Sequence, residues 1–251
     1  MRKKQIGVAA FGAAMAMAAV VQAVVISPTA DSYIRRGTVA QALTDTNFGL
    51  AQVLAVRANG SPDWRKSYLT FTLPAGLDPA TITDVTLNLT SVNSTGGSVA
   101  AWQDQTVSLY GIQGASWGEG TGDNNGTTDT SGNTITWNHA PSNNAASGSG
   151  FVSGTTLFGS FDGTGTTGAL SIDGSDLTNS SLISFMQTAG EGGTFTLMLS
   201  TTGTLAQTIG SKDNSNSARR PYLDVTVPEP ATLGLFGLCG TLGLLRRRRP
   251  A

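Results

Sequence analysis

Three arginines, Arg35, Arg57 and Arg65, fall early in the chain, with Trp64 beside the last and Trp102 further on. A guanidinium fork pairs a carboxylate bidentately, and an indole offers a flat apolar face with one polar edge. Arg35, Arg57, Trp64, Arg65 and Trp102 are therefore the candidate residues for holding an acidic polysaccharide. Tyr33 and Tyr110 belong to the same aromatic group, whereas Trp117 and Trp137 sit next to turns and read as packing residues.

Metal chemistry needs clustered oxygens. Asp123, Asn125 and Asp129 share a glycine-containing loop at a spacing loosely like that of a calcium loop, although the closing glutamate and flanking helices are absent. Calcium at this loop is the one cofactor expectation, set against a plain solvated loop. Asp31 near the start of the central region and Asp213 near its end can meet only if the fold brings them together. Glycoside hydrolysis needs two differently tuned carboxyls, and the acids of the central region single out no pair. Asp45, Asp104, Glu119 and Asp176 read as ordinary loop residues. His139 is the only histidine and reads as a turn residue, while Cys239 is the only cysteine. These counts exclude a disulfide framework, a Cys/His zinc cluster and a Cys-His nucleophile pair. The chain thus reads as non-enzymatic, with a polysaccharide hydrolase or lyase of unidentified carboxylates as the alternative.

The net charge of −1 conceals a division along the chain. Residues 24–227 hold eight basic residues against fifteen acids, a net charge of −7. Such a body argues against nucleic-acid binding, which needs Lys and Arg to neutralise phosphates. The remaining basic residues lie at the two ends. Arg2, Lys3 and Lys4 precede an apolar, alanine-rich run from Ile6 to Val21, and small residues follow up to Ala23. That order predicts a secretory signal over residues 1–23, a helix cut by signal peptidase after Ala23. At the other end Pro228, Glu229 and Pro230 interrupt regular structure. They lead into an uncharged run from Ala231 to Leu245 and then Arg246, Arg247, Arg248 and Arg249. As a helix the run spans about 22 Å, short of the roughly 30 Å hydrocarbon core, a gap that snorkelling arginines and local thinning can close. The arginines should stay cytoplasmic, which leaves the body outside. A short transmembrane helix, held in the inner membrane transiently, is the expectation for residues 228–251.

Between the ends the periodicity is two, the mark of strands with one buried face. Tyr68, Thr70 and Thr72 alternate with Leu69, Phe71 and Leu73, and Phe195, Leu197 and Leu199 with Thr196, Met198 and Ser200. Ile82, Val85, Leu87 and Leu89 alternate with threonines after one phase change at Asp84-Val85, which suggests a bulge. Further strands are expected over Ala51–Arg57, Gln105–Ile112, Thr134–Trp137, Thr156–Phe161, Ala169–Ile172 and Tyr222–Val227. One helix is expected from Leu177 to Ala189, with Asp176 as N-cap and Gly190 just past its end. Residues 121–132, 142–150 and 211–218 read as polar loops. The fold class is all-β, an antiparallel β-sandwich over residues 24–227.

The tail, with Pro228-Glu229-Pro230, the apolar run and the arginine cluster in order, resembles the PEP-CTERM sorting signal of Gram-negative bacteria. The resemblance implies an exosortase as partner, removal of the tail, and residence at the cell surface or in an exopolysaccharide matrix. The body resembles the DNRLRE domain, also classed among carbohydrate-binding modules. The phrases that carry this are Ala30-Asp31-Ser32-Tyr33-Ile34-Arg35, Asn47-Phe48-Gly49 and Arg65-Lys66-Ser67-Tyr68-Leu69. Trp117-Gly118-Glu119, Thr136-Trp137-Asn138, Ser211-Lys212-Asp213 and Arg220-Pro221-Tyr222-Leu223 complete them. Lys66 departs from the family's usual Arg-Ser phrase. This second resemblance implies a jelly-roll sandwich and, more weakly, binding of an extracellular polysaccharide, since such domains occur in many surface proteins; the chain as a whole reads as a structural or adhesive surface protein.

Overall fold

The computed structural model describes residues 21–58, 63–92, 105–162, 169–172, 176–177, 181–204 and 206–228. Most of the expected signal helix, the apolar tail, Glu229, Pro230, Arg246–Arg249 and Trp102 lie outside the described residues. Contacts define one compact unit over Ala23–Val227. No helix among the described residues is long and apolar enough to cross a membrane.

The strands are β1 (Val21–Ile26), β2 (Ala30–Arg35), β3 (Thr46–Asn47), β4 (Val53–Val56), β5 (Arg65–Thr72), β6 (Asp84–Thr90) and β7 (Thr106–Gln113). They continue as β8 (Thr127–Thr128), β9 (Thr156–Asp162), β10 (Ala169–Ile172), β11 (Thr194–Thr201), β12 (Gln207–Gly210) and β13 (Tyr222–Pro228). One sheet has the order β2-β5-β11-β7-β9 and faces another of order β1-β13-β6-β10, while β12 pairs β4 and β3 pairs β8. The chain changes sheet from β5 to β6, again to β7, from β9 to β10 and back to β11, so among the described strands hydrogen-bonded neighbours are not consecutive. That weave gives the antiparallel sandwich expected from the alternation, jelly-roll-like as the resemblance implies.

The main core fills the space between the two large sheets. Leu69, Phe71, Phe195, Leu197, Leu199, Val107 and Leu109 meet Val85, Leu87, Leu89, Leu223 and Val225 there. The alternating residues Phe195–Ser200 all lie in β11, Tyr68–Thr72 lie in β5, and Val85–Leu89 lie in β6. Ile82 precedes β6 and closes a short 3-10 turn, so the phase change marks the start of the strand rather than a bulge. The irregularity in the sheet lies instead at Leu109/Tyr110, opposite β9.

Further expectations are corrected. Thr134–Trp137 forms no strand, only an isolated bridge of Gly118 with Thr134. The helix, α1, runs from Leu182 to Ala189, and its N-cap is Ser181, whose hydroxyl accepts from the Ser184 amide, not Asp176. The sheet also buries its second face. Tyr68 and Met198 point away from the main core and pack with Ile34, Ile135, Trp137 and Ala140 under the long segment between β7 and β9. The region expected to be sandwich loop is therefore a cover over the five-stranded sheet.

Candidate functional site

Register places Arg35 of β2 opposite Arg65 of β5, and Arg57 bridges Arg65 from the other side. Paired backbone hydrogen bonds of 3.0 and 2.8 Å lock Arg57 to Arg65. Three like charges thus stand side by side across the end of the sheet, an arrangement that costs stability unless it is compensated. One carboxylate compensates it. Asp63 Oδ1 accepts from Arg35 Nε, and Oδ2 accepts from Arg57 at 3.0 Å and Arg65 at 2.8 Å. Burial raises the Asp63 carboxyl, but hydrogen bonds and charge from Arg35 and Arg65 outweigh it and hold it below the usual carboxylate range. Two oxygens serve three guanidiniums, and Arg65 Nε finds no acceptor among the described residues. The arginine side chains keep 18–27 % of their surface exposed. The sequence-predicted trio is therefore one site, and its organiser, Asp63, carries no signal beyond its place next to Trp64 and Arg65.

Trp64 is half-buried beside this row and is not an open platform. The Arg36 guanidinium lies 4.4 Å over its ring, and Trp137 packs against it at 6.1 Å. Gly148 backs the ring so closely that a Cβ there would stand 2.8 Å from it. Tyr33 stacks on Phe48 at 4.4 Å and is buried, and Tyr110 packs on Phe151 at 4.9 Å. Trp137 is buried, as a packing residue should be, and Trp117 packs edge-on to Tyr68.

Lys66 follows Arg65, so by alternation it points to the opposite face. Its ammonium donates to Asn143 Oδ1 at 2.7 Å and to the carbonyls of Asn144 at 3.2 Å and Gly150 at 2.5 Å. It also stands 4.9 Å from the Trp137 and Phe151 rings. Burial pushes its pKa down to about 7. The departure from the family phrase is a staple that fastens the cover to the sheet.

A second charged cluster joins Asp31 of β2, Glu119 of the cover and Asp213 of the turn after β12, whose ligand oxygens lie within 4.8 Å of one another. The Asp31 amide donates to Glu119 Oε1 at 2.7 Å, and the Lys212 amide donates to Asp31 Oδ2 at 2.6 Å. Lys212 Nζ lies 3.0 Å from both Glu119 and Asp213. Asp31 is fully buried, and its Oδ1 has no hydrogen-bond partner among the described residues. Burial, then the charge of Glu119, push the Asp31 carboxyl well up against the pull of the Lys212 amide. Burial likewise raises Glu119. Asn47 positions the Glu119 segment, donating to its carbonyl at 2.6 Å and to that of Ile135 at 2.9 Å. Gly49 passes so near that a Cβ would sit 2.0 Å from the Glu119 oxygen. Glu119 is therefore not the ordinary loop residue its surroundings in sequence suggest.

The loop weighed as a calcium candidate against a plain solvated loop uses its acids on itself. Asp123 accepts from the Asn125 amide at 2.8 Å. Asp129 accepts from the hydroxyls and amides of Ser131 and Thr134, which hold its carboxyl far below the usual range. His139 hydrogen-bonds Thr136 at 3.1 Å within a turn. A separate cleft of about 310 Å³, lined by Thr29, Thr70, Ser116, Trp117 and Thr194, has no charged side chain among the described residues that line it.

Residues 22–125 match the model of carbohydrate-binding module family 96, and residues 226–249 match that of the PEP-CTERM protein-sorting motif. The first match takes in the whole arginine row, Asp31 and Glu119 but ends before Lys212 and Asp213. No curated protein matches the chain.

Proposed function

Since this chain joins a carbohydrate-binding-module-like β-sandwich to a PEP-CTERM sorting signal, we propose that it is an exported, non-enzymatic protein that binds an acidic extracellular polysaccharide through its arginine row. The sorting motif accounts for export, processing by an exosortase and placement at the surface. Before that step signal peptidase cuts after Ala23. Cleavage there leaves Val24 and Ile26, the residues of β1 that pack on the core. The final role is structural or adhesive, within a surface polysaccharide matrix.

The observation that carries the binding reading is the surplus of cation over acceptor at Arg35, Arg57 and Arg65. A uronate carboxylate supplies the acceptor pair that Asp63 cannot extend to all three forks. Trp64 acts from beneath, holding Arg36 and the adjacent strand end rather than stacking on the sugar. The carboxylates of Asp31, Glu119 and Asp213 converge, but Asp31 is fully buried and Lys212 ion-pairs the other two, so the trio does not present the acid and base of a glycosidase. Neither matched family is catalytic.

The test is retention in affinity electrophoresis on polygalacturonate and on a neutral glucan, with reducing ends assayed in parallel. We expect retention on polygalacturonate alone, weakened by salt, with no new reducing ends. Equal retention by both gels, or cleavage, overturns the reading. For the tail, intact mass of the protein from its native host should lack residues 231–251, and Glu229→Ala should leave them attached.

A further inference from the structure

We propose that Asp31, Glu119 and Asp213 form a divalent-cation site of calcium type that fastens β2 to the turn before the closing strand, β13. This stands independently of the polysaccharide reading. Three carboxylates converge, yet among the described residues only one ammonium balances them, that of Lys212. The oxygen that most needs a partner, Asp31 Oδ1, is buried with none among the described residues. A buried acceptor left unpaired is costly, and water-excluded carboxylates are normally paired or bound to metal.

The donor set specifies the ion. All three donors are hard carboxylate oxygens, which favours calcium, magnesium or manganese over zinc or copper. Their irregular sources suit calcium, which accepts six to eight oxygens in flexible geometry, better than magnesium, which demands a near-ideal octahedron. Lys212 Nζ already stands at cation distance, 3.0 Å, from two of the ligands. Its side chain is 21 % exposed on a flexible stem, so it can swing into water when the ion enters. Meanwhile the Lys212 amide keeps its hold on Asp31 Oδ2 at 2.6 Å, leaving Oδ1 to turn to the ion.

The placement gives the ion a mechanical role. The Asp31–Glu119 contact spans 88 positions in sequence and the Asp31–Lys212 contact 181, so the site exists only in the folded chain. Ion binding is then linked directly to folding.

The experiment is thermal denaturation and calorimetric titration of the full chain, with calcium, magnesium or EDTA. We expect calcium to raise the melting temperature by several degrees and to bind at least tenfold more tightly than magnesium. Asp213→Asn should weaken calcium binding at least tenfold, Asp129→Asn should leave it unchanged, and Lys212→Met should strengthen it by removing the competing ammonium. Asp213 is partly exposed, so its variant is expected to fold. Absence of a calcium response overturns the proposal, as does loss of the response in Asp129→Asn but not in Asp213→Asn. A Lys212→Met protein that is destabilised and gains no calcium affinity also overturns it, since the lysine is then the site's permanent counter-ion.

Discussion

The arginine row and the acid trio are the same arrangement with the signs exchanged. In one, three guanidiniums surround Asp63; in the other, Lys212 meets three carboxylates, Glu119 and Asp213 with its ammonium and Asp31 with its backbone amide. The difference lies in direction and depth. Asp63 meets its partners with both oxygens occupied, and its carboxyl is held down. Asp31 is fully buried with one oxygen orphaned, and its carboxyl is pushed up. A planar fork on a partly exposed edge leaves donors for a partner outside the protein. A compact ammonium among converging carboxylates leaves acceptors that only a small ion can reach. The same count of charges thus faces a polymer in one place and a metal in the other.

The largest effect expected from breaking this comparison is at Asp63. Asp63→Ala leaves three arginines without their carboxylate and should cost about 3 kcal/mol in urea denaturation, the low end for breaking a buried pair because the arginines are partly hydrated. Asp213→Asn, in EDTA, removes a partly exposed member and should cost under about 1 kcal/mol. Equal costs would erase the distinction between the clusters.

Next in size is the acid response. The folded-state carboxyl of Asp63 lies below its unfolded value, so its contribution is present above the unfolded pKa and is lost as pH falls through the folded pKa. Wild-type stability should therefore decline below about pH 4 more steeply than that of Asp63→Asn. Parallel pH profiles would contradict the ion-paired cluster.

A smaller effect than at Asp63 is expected at the support of the row. Gly148→Ala puts a methyl group 2.8 Å from Trp64 and should cost about 1 kcal/mol as the ring shifts. It should also reduce polygalacturonate retention less than Arg65→Ala does. A larger loss than in Arg65→Ala would make Trp64 the contact residue and the arginines its scaffold.

Much of the sandwich is legible in the sequence because its central strands answer to one requirement. In β5, β6 and β11 every second residue enters the core between the sheets, so period two marks both strand and inner face. The second face escapes that reading. Tyr68 and Met198 occupy positions that alternation assigns to solvent, and what buries them is a polar, glycine-rich segment. That cover is fastened by Lys66, Asn47 and Asn143, residue types that ordinarily signal a wet loop. Ile135 and Trp137 look like a strand for the same reason, since both drop into one apolar cluster without pairing along a ladder. The arginine trio is legible by residue type, but its convergence depends on register. Asp31 and Asp213 are visible as acids at the two ends of the body; only the closure of the sandwich, with Glu119 brought in by Asn47, turns them into a site.

The most direct test of the central claim is the affinity of the arginine row for a polyuronate. Polygalacturonate binding by wild type, Arg35→Ala and Arg65→Ala should be measured by titration calorimetry at low and high salt, with folding of each variant checked by its melt. The account predicts that each substitution lowers affinity at least tenfold and flattens the salt dependence. Variants that stay folded and bind like the wild type would contradict it.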